Sequence, residues 1–116
     1  MNKNDLILRT KKFAHACVKL AVTLPNTYLG NHIKRQLIRC STSVAANYRA
    51  TCLAQSKASF ISKISIVIKE SDESEFWLEF IIDEKLLSLN DVELLKSEAH
   101  ELASIFISSR MTAQRN

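Results

Sequence analysis

Glycine and proline are almost missing from this chain: Gly30 and Pro25 are the only ones in 116 residues. A single glycine excludes the glycine-rich phosphate loops, both the dinucleotide fingerprint and the P-loop. It also leaves almost nothing suited to the tight turns that an antiparallel sheet needs. No apolar run approaches the roughly 18 residues of a membrane span. The opening Met1-Asn2-Lys3-Asn4-Asp5 has an early acid and no apolar segment, unlike a signal peptide. Cys17, Cys40 and Cys52 are odd in number, with no C-x-x-C pair and no paired histidine spacing, so nothing suggests zinc. Reduced, core-filling thiols in a cytoplasmic protein are the expectation. The composition that is present, 47% hydrophobic and 24% charged, suits one soluble, mostly helical domain.

Acid is short in one half only. Residues 1–55 carry nine Lys and Arg against Asp5 alone, whereas residues 56–116 carry seven against eleven acids. Such asymmetry implies either an anionic partner for the first half or pairing between the halves. In an antiparallel bundle the pairing follows simply from packing, and it is the plainer of the two readings.

Hydrophobic periodicity predicts four helices, at about 5–24, 30–54, 56–87 and 91–110, with a frayed tail over 111–116. In the first, Leu6, Phe13, Cys17, Leu20 and Leu24 share a face, with Lys12, His15 and Lys19 behind it. Pro25 closes that helix, and the stretch to Gly30-Asn31 reads as a turn. The second buries Ile33, Leu37, Cys40, Val44 and Tyr48 and places Arg35, Arg39 and Arg49 near the opposite face. Ser56 is the expected N-cap of the third. Its inner face runs through Phe60, Ile64, Val67, Ser71, Glu75, Leu78 and Ile82. A second apolar strip, Ile66, Trp77 and Phe80, lies about 180° away and is interrupted by Glu70 and Glu73. A helix that is apolar on two sides needs two neighbours. The strip is therefore an expected self-association surface; the other reading has Trp77 and Phe80 covering a seam inside the monomer. Asn90 with Glu93 forms the expected capping box of the fourth helix. Short connections imply an all-α, antiparallel up-down-up-down four-helix bundle.

Particular residues then carry a resemblance. Ser43-Val44-Ala45-Ala46-Asn47-Tyr48-Arg49-Ala50 and Asp72-Glu73-Ser74-Glu75-Phe76-Trp77-Leu78-Glu79 are similar to the four helix bundle protein family. These are small bacterial proteins also known from reading frames in intervening sequences of large-subunit ribosomal RNA genes. Arg9-Thr10, Gln36-Leu37 and Glu98-Ala99 extend the resemblance across nearly the whole chain. It implies an up-down bundle that assembles into a homopentameric ring. It also implies relatedness to the basic, nucleic-acid-binding accessory proteins of diversity-generating retroelements, and it brings no catalytic residue.

The helical wheel places Asn47 and Glu75 toward the core, where a carboxylate must be paired, hydrogen-bonded or protonated. The expectation is a polar latch between them that fixes the register of the second and third helices. Chemistry finds no support. The residues three before His15, His32 and His100 are Lys12, Leu29 and Ser97, so the Glu-x-x-His pattern of di-metal bundles is missing. No G-x-S-x-G elbow is present. No enzyme activity, metal or cofactor is expected. Two functions remain open. One is a nucleic-acid-binding oligomer that contacts RNA or DNA phosphates through Lys11, Lys12, Lys19, Arg35, Arg39 and Arg49. The other is a structural or protein-interaction scaffold that uses only the Ile66, Trp77 and Phe80 strip. Membrane binding is not expected, because the basic faces lack an apolar wedge.

Overall fold

The computed structural model describes all residues, Met1–Asn116, as four packed helices with no strand: α1 (Lys3–Ala21), α2 (Tyr28–Thr51), α3 (Lys57–Asp83) and α4 (Leu89–Arg115). The molecule is a rod of 47 × 20 × 20 Å, as 27-residue helices rising about 1.5 Å per residue require. α2 packs on α1 and α3, α3 packs on α4, and α1 touches α4 only lightly. Ser65 meets Arg110, Glu75 meets His100 and Glu79 meets Lys96, so later residues of α3 face earlier residues of α4. No helix is long and apolar enough to cross a membrane.

Each boundary has a local cause. Asn2 and Asp5 form a reciprocal capping box: Asn2 Oδ1 accepts from the Asp5 amide at 2.9 Å and Asp5 Oδ2 from the Asn2 amide at 3.0 Å. That pair starts α1 two residues before the predicted onset. Thr27 Oγ1 caps α2 by accepting from the Gly30 amide at 3.0 Å, so Gly30 lies inside the first helical turn and not in the connecting loop. Ser56 caps α3 as expected, accepting from the Ser59 amide at 3.0 Å. α3 stops at Asp83, four residues before the predicted end. There the Lys85 amide bonds to the Ile82 carbonyl and the Leu86 amide to the Ile81 carbonyl, with Lys85 at φ 54°. This is a Schellman closure with lysine in the left-handed position that glycine ordinarily fills. The fourth helix departs most from expectation. It begins at Leu89 behind Ser88, with no side-chain cap, so Asn90 and Glu93 lie within its first turns and form no capping box. It also continues through the tail expected to fray, because Met, Ala, Gln and Arg are good helix formers and Arg110 is tied to Ser65 Oγ at 3.2 Å.

The core runs the length of the rod, from Leu6, Phe13 and Leu24 through Ile33, Leu37 and Val44 to Ile64, Leu78, Leu102 and Phe106. Tyr48 and Phe106 stack with ring centroids 5.0 Å apart. Burying one such large side chain contributes about 1.5–3 kcal/mol. Cys40, Ser71 and Ser74 are fully buried, and the contact of Cys40 with Ser74 lets α2 and α3 approach closely. Ser71 and Ser74 return their hydroxyl hydrogens to the carbonyls of Val67 and Glu70. Burial pushes the Cys40 thiol up to about 11, partly offset by its hydrogen bond with Ser74 at 3.3 Å. The Cys17 thiol is raised further, for the same reason. Both are therefore neutral, packed groups.

Two substitutions test this account of the helix ends. A Cβ on Gly30 would lie 2.0 Å from the Pro25 carbonyl oxygen, a backbone atom that has no room to retreat. Gly30→Ala should therefore lower stability by about 2 kcal/mol or more in chemical denaturation. Lys85→Gly should instead raise it by about 0.5–1 kcal/mol, because it relieves the left-handed strain of a side-chain-bearing residue.

Candidate functional site

The outer surface is organised by which cations find a carboxylate. Arg9 on α1 reaches across to α4, bonding Glu98 through Nε and Nη2 at 2.8 Å and Glu101 at 3.0 Å. The bonds to Glu98, then those to Glu101, outweigh partial burial and hold this guanidinium above its ordinary pKa. Arg39 on α2 bridges two carboxylates of α3, Glu70 at 3.2 Å and Glu73, while Gln36 supports it from one turn away at 3.3 Å. Glu73 also accepts from the indole nitrogen of Trp77 at 3.1 Å. Both clamps join the base-rich first half of the chain to the acid-rich second half.

Arg39 is thus a half-exposed bridge at the α2–α3 seam, with its charge neutralised by its partners. The other bases predicted to meet a ligand differ. Lys11, Lys12, Lys19, Arg35 and Arg49 have no carboxylate within ion-pairing distance, and all are exposed. Lys11 from α1 and Arg49 from α2 both line a trough between the two helices, together with His15. Its apolar lining is Ile7, Ala14, Val18 and Ala45, with the exposed Ala46 at the edge, and its open volume is about 770 Å³. Lys12 lies on the other flank of α1, beside Arg9 and Glu98. The trough was not anticipated from the sequence, although the small residues Ala45 and Ala46 opposite Ala14 are its signal.

On α3 the predicted outward strip is divided. Ile66 is 43% exposed, but Trp77 and Phe80 are half-buried on the α2 side. Trp77 meets the ring of His32 edge-on at 5.5 Å and Phe80 at 6.0 Å. The most exposed ring of this cluster is Phe76, at 52%, set 5.0 Å from Trp77. Glu70, expected to interrupt the outer strip, is 8% exposed and lies at the α2–α3 seam. The reason is its rotation toward α2, where Arg39 receives it.

The Asn47–Glu75 latch does not form. Asn47 Nδ2 donates within its own helix, to the Ser43 carbonyl at 2.9 Å and Ser43 Oγ at 2.7 Å. Glu75 instead faces α4, with His100 Nδ1 at 3.1 Å. A helical wheel carries angle but no axial coordinate. Cys40 touches Ser74, which places Asn47 about two turns, roughly 10 Å, further along. The pairing that joins α2 to α3 is instead Arg39 with Glu70 and Glu73, about two turns before Asn47 on α2.

Comparison with other proteins adds to this description. Residues 2–108 match the 23S rRNA-intervening sequence protein family. The crystal structure of a protein with unknown function from the S23 ribosomal protein family of Bacteroides thetaiotaomicron superposes with a TM-score of 0.86 at 32% identity. The alignment covers 96% of this chain and 99% of that one. No curated protein matches the sequence.

Arg39→Ala should lower stability by about 1–3 kcal/mol, because it leaves the buried Glu70 uncompensated while removing a half-exposed partner. Replacing both partners, Arg39→Met with Glu70→Leu, should recover most of that loss in the same denaturation assay.

Proposed function

The chain belongs to the 23S rRNA-intervening sequence protein family, and we propose that within it this protein is a non-enzymatic, nucleic-acid-binding homo-oligomer. The observation that carries the reading is the sorting of cations described above. Arg9 and Arg39 are consumed by carboxylates, and Lys11, Lys12, Lys19, Arg35 and Arg49 are left unpaired on the outward surfaces of α1 and α2. An array of unpaired, flexible cations suits the evenly spaced phosphates of RNA or DNA. Bases and aromatic rings are segregated, the rings gathering on α3. Contact is therefore to the backbone, without base stacking or sequence reading.

Assembly multiplies this surface. The arrangement is an antiparallel up-down-up-down bundle, supported by the descending pairs between α3 and α4. Five copies form a ring, as the sequence resemblance implies. Ile66 and the Phe76, Trp77 and Phe80 cluster supply an apolar, partly exposed contact on the side of α3 away from α4. A second reading, a scaffold for another protein, rests on that same aromatic cluster and makes no use of the bases.

Binding of a labelled RNA and of a DNA oligonucleotide, titrated over salt, distinguishes the two. The expected result is binding at low salt that falls steeply with ionic strength, with a log–log slope of about −3 to −4 per protomer engaged. Lys11→Glu with Arg35→Glu should abolish it without loss of helicity. Binding that is absent at low salt, or unaffected by the reversals, leaves the scaffold. Light scattering on the same sample should give a particle of five 13.1-kDa chains; a single chain in solution would overturn the ring.

A further inference from the structure

The trough between α1 and α2 has a composition that phosphate binding does not explain. Its floor is apolar, formed by Ile7, Ala14 and Val18 from one helix and Ala45 from the other, with the exposed Ala46 at the edge. A phosphate backbone has no use for such a floor, and no aromatic ring lines it to stack a base. It is an open channel, so an acyl chain laid in it would stay largely in water, unlike ligands of enclosed pockets. Only the rim is polar, and its charged groups are cations: Lys11 on one bank and Arg49 on the other, with His15 and Thr42 as further polar groups and no carboxylate among the lining residues. Neither Lys11 nor Arg49 has an ion-pair partner elsewhere in the protein.

The cause of the trough lies in the sequence. Ala14, Ala45 and Ala46 stand where larger side chains would otherwise fill the gap between the two helices. Ile7 to Val18 spans eleven residues, or about 16 Å of helix axis. That is the length over which an amphipathic helix presents anchors at i, i+4, i+7 and i+11. A floor of methyl groups lets a third helix approach closely, and the cations on both banks favour carboxylates flanking its apolar stripe.

We propose that the α1–α2 trough is a docking site for an acidic amphipathic helix of a partner protein. Leucine-sized anchors of that helix lie on the floor, over Ala14 and Ala45 and beside Ala46. Its flanking Glu or Asp side chains pair with Lys11 and Arg49. This proposal does not rest on nucleic-acid binding, although it shares two of the same cations. The two are separable because only helix docking needs the floor.

The test uses a fluorescent fifteen-residue synthetic peptide with leucines at i, i+4, i+7 and i+11 and glutamates flanking them. A scrambled peptide of equal composition and a version with lysine for glutamate serve as controls. The full-length protein should bind the first peptide at least about tenfold more tightly than either control. Ala46→Trp covers the floor from its exposed edge. It should weaken the peptide at least about tenfold while leaving RNA affinity unchanged; Lys11→Glu with Arg49→Glu should weaken both. A spin label on the peptide should broaden the amides of Ile7, Ala14 and Ala45 in the unsubstituted protein, a measurement independent of any variant's folding. Equal binding of the scrambled peptide would mean bare charge attraction and overturn the proposal. So would no binding, an Ala46→Trp protein that binds as before, or broadening confined to the Phe76 side. If Ala46→Trp instead breaks the oligomer, the trough is a contact between copies of this chain, and the proposal fails.

Discussion

Glu70 is a carboxylate withdrawn almost wholly from water, and the guanidinium of Arg39 is what makes that position tolerable. The consequences spread in both directions along the rod. Because Arg39 also holds Glu73, and Glu73 in turn receives the indole hydrogen of Trp77, a single arginine fixes three side chains of α3 against α2. The small residues beneath, Cys40 against Ser74, let the two helices approach closely enough for that geometry. A larger residue at either place would part the helices and strand a charge. The pairing confers specificity more than raw stability, since two apolar residues of similar volume would pack there at little cost.

Electrostatics across the chain follow the same logic. The first half is base-rich and the second acid-rich, and folding lays one against the other through Arg9 and Arg39. What remains after that internal neutralisation is a positive face on α1 and α2. The unpaired cationic surface is therefore a remainder, visible only once the pairs are drawn. Composition alone lists Arg39 beside Arg35 as equals; the fold makes one a strut and leaves the other unpaired.

Much of the architecture was legible because helical periodicity is a local signal. Four helices, the Ser56 cap and most of the inward residues, among them Phe13, Cys17, Val44, Val67 and Leu102, could be read from spacing. Helix ends were less so. Asn2 and Asp5 displayed a capping pattern but precede the first apolar residue, so periodicity starts too late to see them. The end of α3 was hidden because Lys85, not a glycine, takes the left-handed position. The fourth helix carries a plausible cap at Asn90 that the chain does not use, having already turned at Ser88. Pairings between helices were the least legible. Angle on a wheel placed Glu75 in the core, whereas it is half-buried at the α3–α4 seam; the wheel also gave no height, so the partner proved to be His100 and not Asn47. The trough between α1 and α2 escaped for a related reason: a gap is a property of two helices at once.

The lone indole has a use that follows from where it sits. Trp77 lies between the His32 ring and Phe80, with its nitrogen bonded to Glu73, and Trp77 is the chain's one tryptophan. Its near-ultraviolet emission is consequently an intrinsic reporter placed at a single seam. It registers any parting of α2 from α3 with no label attached.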